Sequence, residues 1–254
     1  MSLNIIEGLI PILTDNIIKI IAIIICLTIG YFGFRYKILD KSGVISGMIV
    51  GLGILVLVED VEWFIVFIAL FFVGGLTAKY KYEEKEARGV PEAKEGRSVK
   101  NIFANCGAAF ICVLLYAMFD NNPIFLFGYL GAIVTAASDS AAAEIGQLSK
   151  SQPILITTLK PVKTGTDGAI SLLGEGVALI VAMFISAIPY AFGIENGINY
   201  FIIGTIAGFI GCQIDTVIGA VLELRGIVDN HGTNFIATAG GAILAMGLGF
   251  FYIH

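Results

Sequence analysis

Asp139 and Asp215 each close a long apolar run, at a point where a soluble catalytic group is not expected. Asn101 and Asn105, Ser138, Glu144, the turn Gly165-Thr166-Asp167-Gly168, and Asn230 with Asn234 are placed similarly beside apolar runs. A charged group within a membrane segment costs several kcal/mol, so its default reading is functional. Two carboxylates from different helices suit Mg²⁺, which takes one or two of them and completes its shell with water and substrate phosphate. The opposing reading of the aspartates is a structural ion pair with Lys160 or Lys163. Glu144 follows Asp139 by five residues, about 140° around a regular helix. The two cannot chelate one ion unless the helix opens, so Glu144 is either a third ligand or the partner of a lysine. The asparagines read singly as helix caps or interhelical hydrogen bonds. Together, at one depth, they suit the orientation of phosphate or nucleotide oxygens.

The stretch Lys160-Pro161-Val162-Lys163-Thr164-Gly165-Thr166-Asp167-Gly168 directly precedes an apolar run. Glycines free the backbone to present N–H groups, a helix start favours anions, and two lysines add positive charge. That combination holds phosphate; the competing reading is a flexible turn. Lys163 is the candidate catalytic cation. Of the histidines His231 and His254, His231 stands alone between apolar runs, so a nucleophile–histidine–acid set is not expected. The four cysteines, Cys26, Cys106, Cys112 and Cys212, lie in apolar runs with no CxxC, and read as free buried thiols. Metal-assisted phosphoryl or nucleotidyl transfer remains, a chemistry in which positioning and charge neutralisation do most of the work.

The elements that must position these groups are helices in a bilayer. The chain has 254 residues, 57% hydrophobic and 14% charged, with a mean hydropathy of +0.91. Soluble domains carry roughly 25% charged residues. About 20 apolar residues span the hydrocarbon core. Eight runs qualify: 17–34, 43–58, 62–78, 100–119, 124–143, 169–190, 199–220 and 233–252. The expected fold is one all-α, polytopic membrane domain over residues 1–254. Of the 15 Lys and Arg residues, 14 fall in loops that this count puts on one side. The positive-inside rule makes that side cytoplasmic, leaves both termini external and puts the site at the cytoplasmic face of a cell membrane. Residues 79–98 form the one long polar stretch, read as a solvated loop with a short helix, and alternatively as a lid. Arg97 abuts the next run and joins the candidate site.

A weak internal echo relates Gly128-x10-Asp139-Ser140 to Gly204-x10-Asp215-Thr216. More specific is an ordered set of motifs: Arg97-x3-Asn101-x3-Asn105-x-Gly107, Asp139-Ser140-x-Ala142-x-Glu144-Ile145-Gly146, Gly165-Thr166-Asp167-Gly168-Ala169-Ile170-Ser171, Asp215-Thr216-x2-Gly219-Ala220, and Asn230-x3-Asn234-x3-Thr238-x-Gly240. Over roughly residues 40–252 this set resembles the transmembrane protein 19 / phytyl-phosphate kinase family. The resemblance implies CTP-dependent phosphorylation of a membrane-bound isoprenyl monophosphate (phytyl, geranylgeranyl or polyprenyl) to the diphosphate, with Mg²⁺ as cofactor. It also implies kinship with dolichol kinases and CTP-using cytidylyltransferases. Glu223 stands where the pattern leads one to expect glutamine, and Ala141 and Ala143 simplify the Asp139 motif. The alternatives are a cytidylyltransferase that makes a CDP-lipid and a non-enzymatic lipid or ion transporter. The expected partners are a nucleoside triphosphate, an isoprenyl phosphate and the bilayer, with no nucleic acid; self-association into a homo-oligomer stays open.

Overall fold

The computed structural model describes residues 2–36, 38–58, 60–88 and 96–253. Each of the eight apolar runs is centred on a helix: α1 (Ser2–Arg35), α2 (Lys41–Leu57), α3 (Glu62–Lys79), α5 (Val99–Met118), α6 (Ile124–Gly146), α7 (Leu172–Ala191), α8 (Gly197–Ile218) and α9 (Asn230–Ile253), although the run 169–190 enters its helix only at Leu172. The short α4 (Tyr82–Ala87) sits in the charged stretch. The Gly89-Val90-Pro91 break and Lys94 of that stretch lie outside the described residues. Among those residues, six helices are long and apolar enough to cross a membrane: α3, α5, α6, α7, α8 and α9. α2, with 17 residues, is the shorter apolar helix. Extended pairing is also present among the described residues: β1 (Ile154–Leu155) and β2 (Ala169–Ile170) pair antiparallel between α6 and α7, with Ile154 opposite Ile170, and Leu39 bridges to Arg97.

Side-chain caps set the helix starts next to the site. Asp40 accepts from the Gly43 amide at 2.7 Å at the start of α2. That hydrogen bond, with another from Ser42, holds the Asp40 carboxyl below the usual carboxylate range. Ser98 caps α5 in a capping box with Asn101, an amide performing the role Glu or Gln more often has. Ser171 caps α7 by accepting from the Gly174 amide at 3.1 Å. Each cap satisfies backbone donors that a helix start leaves without intrahelical partners.

α6 is the central element, packed against α3, α5, α7, α8 and α9. Every residue from Leu126 to Ser138 is buried. Small residues on the surrounding helices let backbones approach closely, as membrane helix packing requires. Thr135 fills the space over Gly211 of α8 and Gly241 of α9, and a Cβ on either glycine would strike its hydroxyl. Gly131 lies against the Gly241 carbonyl in the same way. The Thr135 hydroxyl is satisfied within its own helix, donating to the Gly131 carbonyl at 2.8 Å. The outer faces of α1, α7 and α8 instead expose apolar side chains such as Ile24, Ile180 and Ile206.

Candidate active site

The apolar helices end on polar residues at one end of the bundle. There the last turns of α6 and α8, the first turns of α7 and α9, and the loop between α6 and α7 enclose a cavity of about 510 Å³. Five carboxylates line it: Asp139 from α6, Asp167 from the loop, Glu175 from α7, Asp215 from α8 and Glu223 beyond α8. Among the described residues, no Lys or Arg lines it. Asp139, Asp167 and Glu223 lie near enough to Asp215 for their charges to repel its own. A cavity of this charge disfavours a bare anion and favours cations.

The loop is built from two consecutive turns. The Thr166 amide donates to the Lys163 carbonyl at 3.2 Å, and the Ala169 amide to the Thr166 carbonyl at 3.0 Å. Gly165 (φ 84°) and Gly168 (φ 74°) occupy the third position of each, where a left-handed backbone makes glycine the favoured residue. Gly168 has a second constraint: a Cβ there would collide with Ala220. Ala220 belongs to a π-helical turn, Gly219–Glu223, that prolongs α8. Such wide turns are rare and recur at functional sites. Here the π turn carries Glu223 to the cavity wall and gives the loop its seat.

Neighbouring side chains engage the carboxylates. With its amide nitrogen turned toward Asp215, Asn234 donates to Asp215 Oδ1 at 3.2 Å and to the Asn230 carbonyl at 3.1 Å. Gln213 Nε2 donates to Glu175 Oε2 at 2.8 Å. Cys212 Sγ stands 3.9 Å from Asp139 Oδ1, a weak contact.

Of the residues singled out in the sequence, Asp139, Gly165, Thr166, Asp167, Gly168, Asp215 and Asn230 line the cavity, and Asn234 reaches it through Asp215. The others lie outside its lining. Lys160 and Lys163 are exposed, and their carbonyls serve the loop's own hydrogen bonds. Asn101 belongs to the α5 cap, and Asn105 Nδ2 donates to its carbonyl at 2.9 Å. Arg97 bridges to Ile38 and Asp40 through its backbone, with its guanidinium beside Gly74. Ser138 is buried and its hydroxyl has no hydrogen-bond partner. Glu144 turns away from the cavity to pair with Lys85, so its lysine alternative describes the geometry. Glu175 and Gln213 were missed. The criterion that selects Asp215 would have found Glu175, the one charged residue within 169–190.

Among the described residues no three Asp, Glu, His or Cys side chains converge as metal ligands. The donor set nonetheless fits Mg²⁺, which needs only one or two carboxylates when phosphate and water supply the remainder. Asp139 and Asp215 are the pair that would hold it, with Asp167 on the loop above.

A family model described as integral membrane protein DUF92 matches residues 24–242. An uncharacterized membrane protein of Methanocaldococcus jannaschii is 34% identical over 226 residues, 89% of this chain and 92% of that one. The chloroplastic protein VTE6 of Arabidopsis thaliana is 31% identical over 130 residues, 49% of this chain and 39% of that one. Protein PGR of the same plant is 26% identical over 271 residues, 86% of this chain and 91% of its own. No solved structure matches the chain. With the family model covering most of its length, the chain belongs to the DUF92 family of integral membrane proteins.

Proposed function

We propose that the protein is a Mg²⁺-dependent phosphotransferase that uses CTP to convert a membrane-embedded isoprenyl monophosphate to the diphosphate. The observation that carries this reading is the carboxylate-lined cavity at the helix ends, roofed by a glycine turn and without a lining cation of its own. The choice of CTP and of an isoprenyl acceptor rests on the motif resemblance to phytyl-phosphate kinases, and the partial match to the chloroplastic protein VTE6 is compatible with it.

In this reading an oxygen of the acceptor monophosphate attacks the γ-phosphorus of CTP. The bond from that phosphorus to the β-bridging oxygen breaks, and CDP leaves. Mg²⁺ would neutralise the charge on the transferring phosphoryl group. The chain's own residues position. The Gly165–Gly168 turns line the cavity beside the phosphates, and α7 and α9 both begin there, so their helix dipoles favour anions. Asn234 holds Asp215 in place. Leu172 follows the cavity-lining Ser171 and is 88% exposed, so apolar surface begins one residue from the site. A lipid phosphate at headgroup depth would thus meet the cavity while its tail stays in hydrocarbon.

The test is purified protein with labelled CTP or ATP and a panel of isoprenyl phosphates. A diphosphate with CDP release supports the reading. A CDP-lipid with pyrophosphate release would make the protein a cytidylyltransferase, and no turnover with transfer of intact lipid would make it a transporter. The excess of basic residues in the loops at this end further leads us to propose that the cavity opens to the cytoplasm. An impermeant thiol reagent added outside intact cells should label a cysteine placed at Asn121 and spare one at Lys81; the reverse pattern inverts the orientation.

A further inference from the structure

Lys85 lies in the charged stretch, yet it is 1% exposed. α4 places it there immediately after Lys81, whose φ of 47° turns the chain back. Its ammonium has three protons and three acceptors. It donates to the Thr77 carbonyl at 3.0 Å, to the Ala78 carbonyl at 2.8 Å, and to Glu144 Oε2. The carbonyls are in the last turn of α3, and Glu144 is in the last turns of α6. One buried cation therefore joins the ends of two helices whose terminal carbonyls have no partners within the helix. Arg88, at the end of α4, adds a second tie: it donates to the Gln147 carbonyl at 2.7 Å and the Ser149 carbonyl at 3.1 Å.

The same two turns of α6 form a wall of the cavity, through Asp139, Ala142, Ala143, Gly146 and Gln147. Five residues of helix separate the directions of Asp139 and Glu144 by about 140°. One face of the turn enters the site while the other enters the clamp. The angle that keeps Glu144 from sharing an ion with Asp139 is the angle that lets it anchor Asp139's helix.

We propose that Lys85 and Glu144 are a positioning pair that fixes the α6 wall of the site against the end of α3, and that Glu144 is not a metal ligand. The proposal rests on the cavity's being the reaction site. Misplacement of a reacting group by about 1 Å can cost on the order of 10²-fold in rate. Stability and positioning are separable because an apolar pair often replaces a buried ion pair at no cost in stability, whereas removing one partner strands a buried charge.

The experiment compares wild type, Lys85→Met, Glu144→Gln and Lys85→Met/Glu144→Met in detergent or nanodiscs. Three readouts are taken: melting temperature, turnover with its Mg²⁺ dependence, and hydrogen exchange of amides 140–149. Lys85→Met should melt earliest. The double variant should recover much of the melting that Lys85→Met loses, yet exchange faster at 140–149 and turn over on the order of 10²-fold more slowly, with half-saturating Mg²⁺ unchanged. Methionine cannot donate to the Thr77 and Ala78 carbonyls, so the wall keeps only the Arg88 tie. Recovery of turnover along with melting would overturn the proposal by making the pair merely structural. Glu144→Gln that raises half-saturating Mg²⁺ with unchanged exchange would overturn it by making Glu144 a ligand. The exchange readout needs no reaction: if wild type fails to phosphorylate any isoprenyl phosphate, unchanged exchange in the double variant still refutes the pair, separately from the proposed function.

Discussion

The two ends of α6 are built on opposite principles. At its start, Tyr129 and Phe127 pack into an aromatic cluster with Trp63 and Tyr200. Trp63 meets Tyr200 edge-on at 5.0 Å, and Phe127 stacks on Tyr200 at 4.1 Å. The Tyr129 hydroxyl donates to the Trp63 carbonyl at 2.7 Å. Ten residues further, about 15 Å along the helix, Asp139 opens onto the carboxylate-lined cavity, where like charges crowd one another. One end gains stability from apolar burial and ring contacts. The other gives stability up by crowding carboxylates around a cavity, the one we propose takes Mg²⁺ and phosphate. Strain and buried like charges of this kind accumulate where function needs them.

Neutralising a carboxylate at the cavity end should produce the largest effect and separate the two principles most sharply. Asp139→Asn and Asp215→Asn should each lower turnover by about 10²–10³-fold or more, on the scale of losing a transition-state charge contact. Their melting temperatures should hold or rise, because repulsion among carboxylates is relieved. Calorimetry beside a turnover assay checks both, and a large drop in melting with turnover kept would erase the contrast. An intermediate effect is expected at the loop. Gly168→Val places a Cβ against Ala220 and forces a branched residue to a positive φ. Turnover should fall on the order of 10²-fold through misplaced turns, with a proportionally smaller loss of melting. If melting falls in step, the loop braces the bundle and belongs with the aromatic end. The smallest effect should come from Tyr129→Phe, which deletes one buried hydrogen bond worth about 1 kcal/mol. Denaturation should register it while kinetic constants stay put; a change in KM would mean the two ends communicate.

Much of the site was legible because hydrocarbon penalises polar atoms. Asp139, Asp215 and the Gly165–Gly168 turn stood out against apolar neighbours, and all reach the cavity. Glu175 obeyed the same rule and was overlooked inside a run read simply as a span. Lys85 was illegible for the opposite reason. It sits among charges, where a buried lysine resembles a solvated one until its acceptors are known. Asn101 and Asn105 looked like members of the site, but local hydrogen bonds at the start of α5 account for their contacts.

The amino-acid sequence by itself determined that eight apolar runs would form helices, since a chain in lipid must satisfy its backbone internally and needs a certain length to cross. It also determined which end of those helices would be polar, because composition along a span is a one-dimensional property. Tertiary structure alone decided which polar groups meet. Whether a side chain enters a cavity or a clamp depends on its angle around its helix and on the helix packed beside it. Two residues five apart on one helix, Asp139 and Glu144, therefore belong to different structures: one faces the carboxylates of α7 and α8, the other a lysine from a segment 59 residues away.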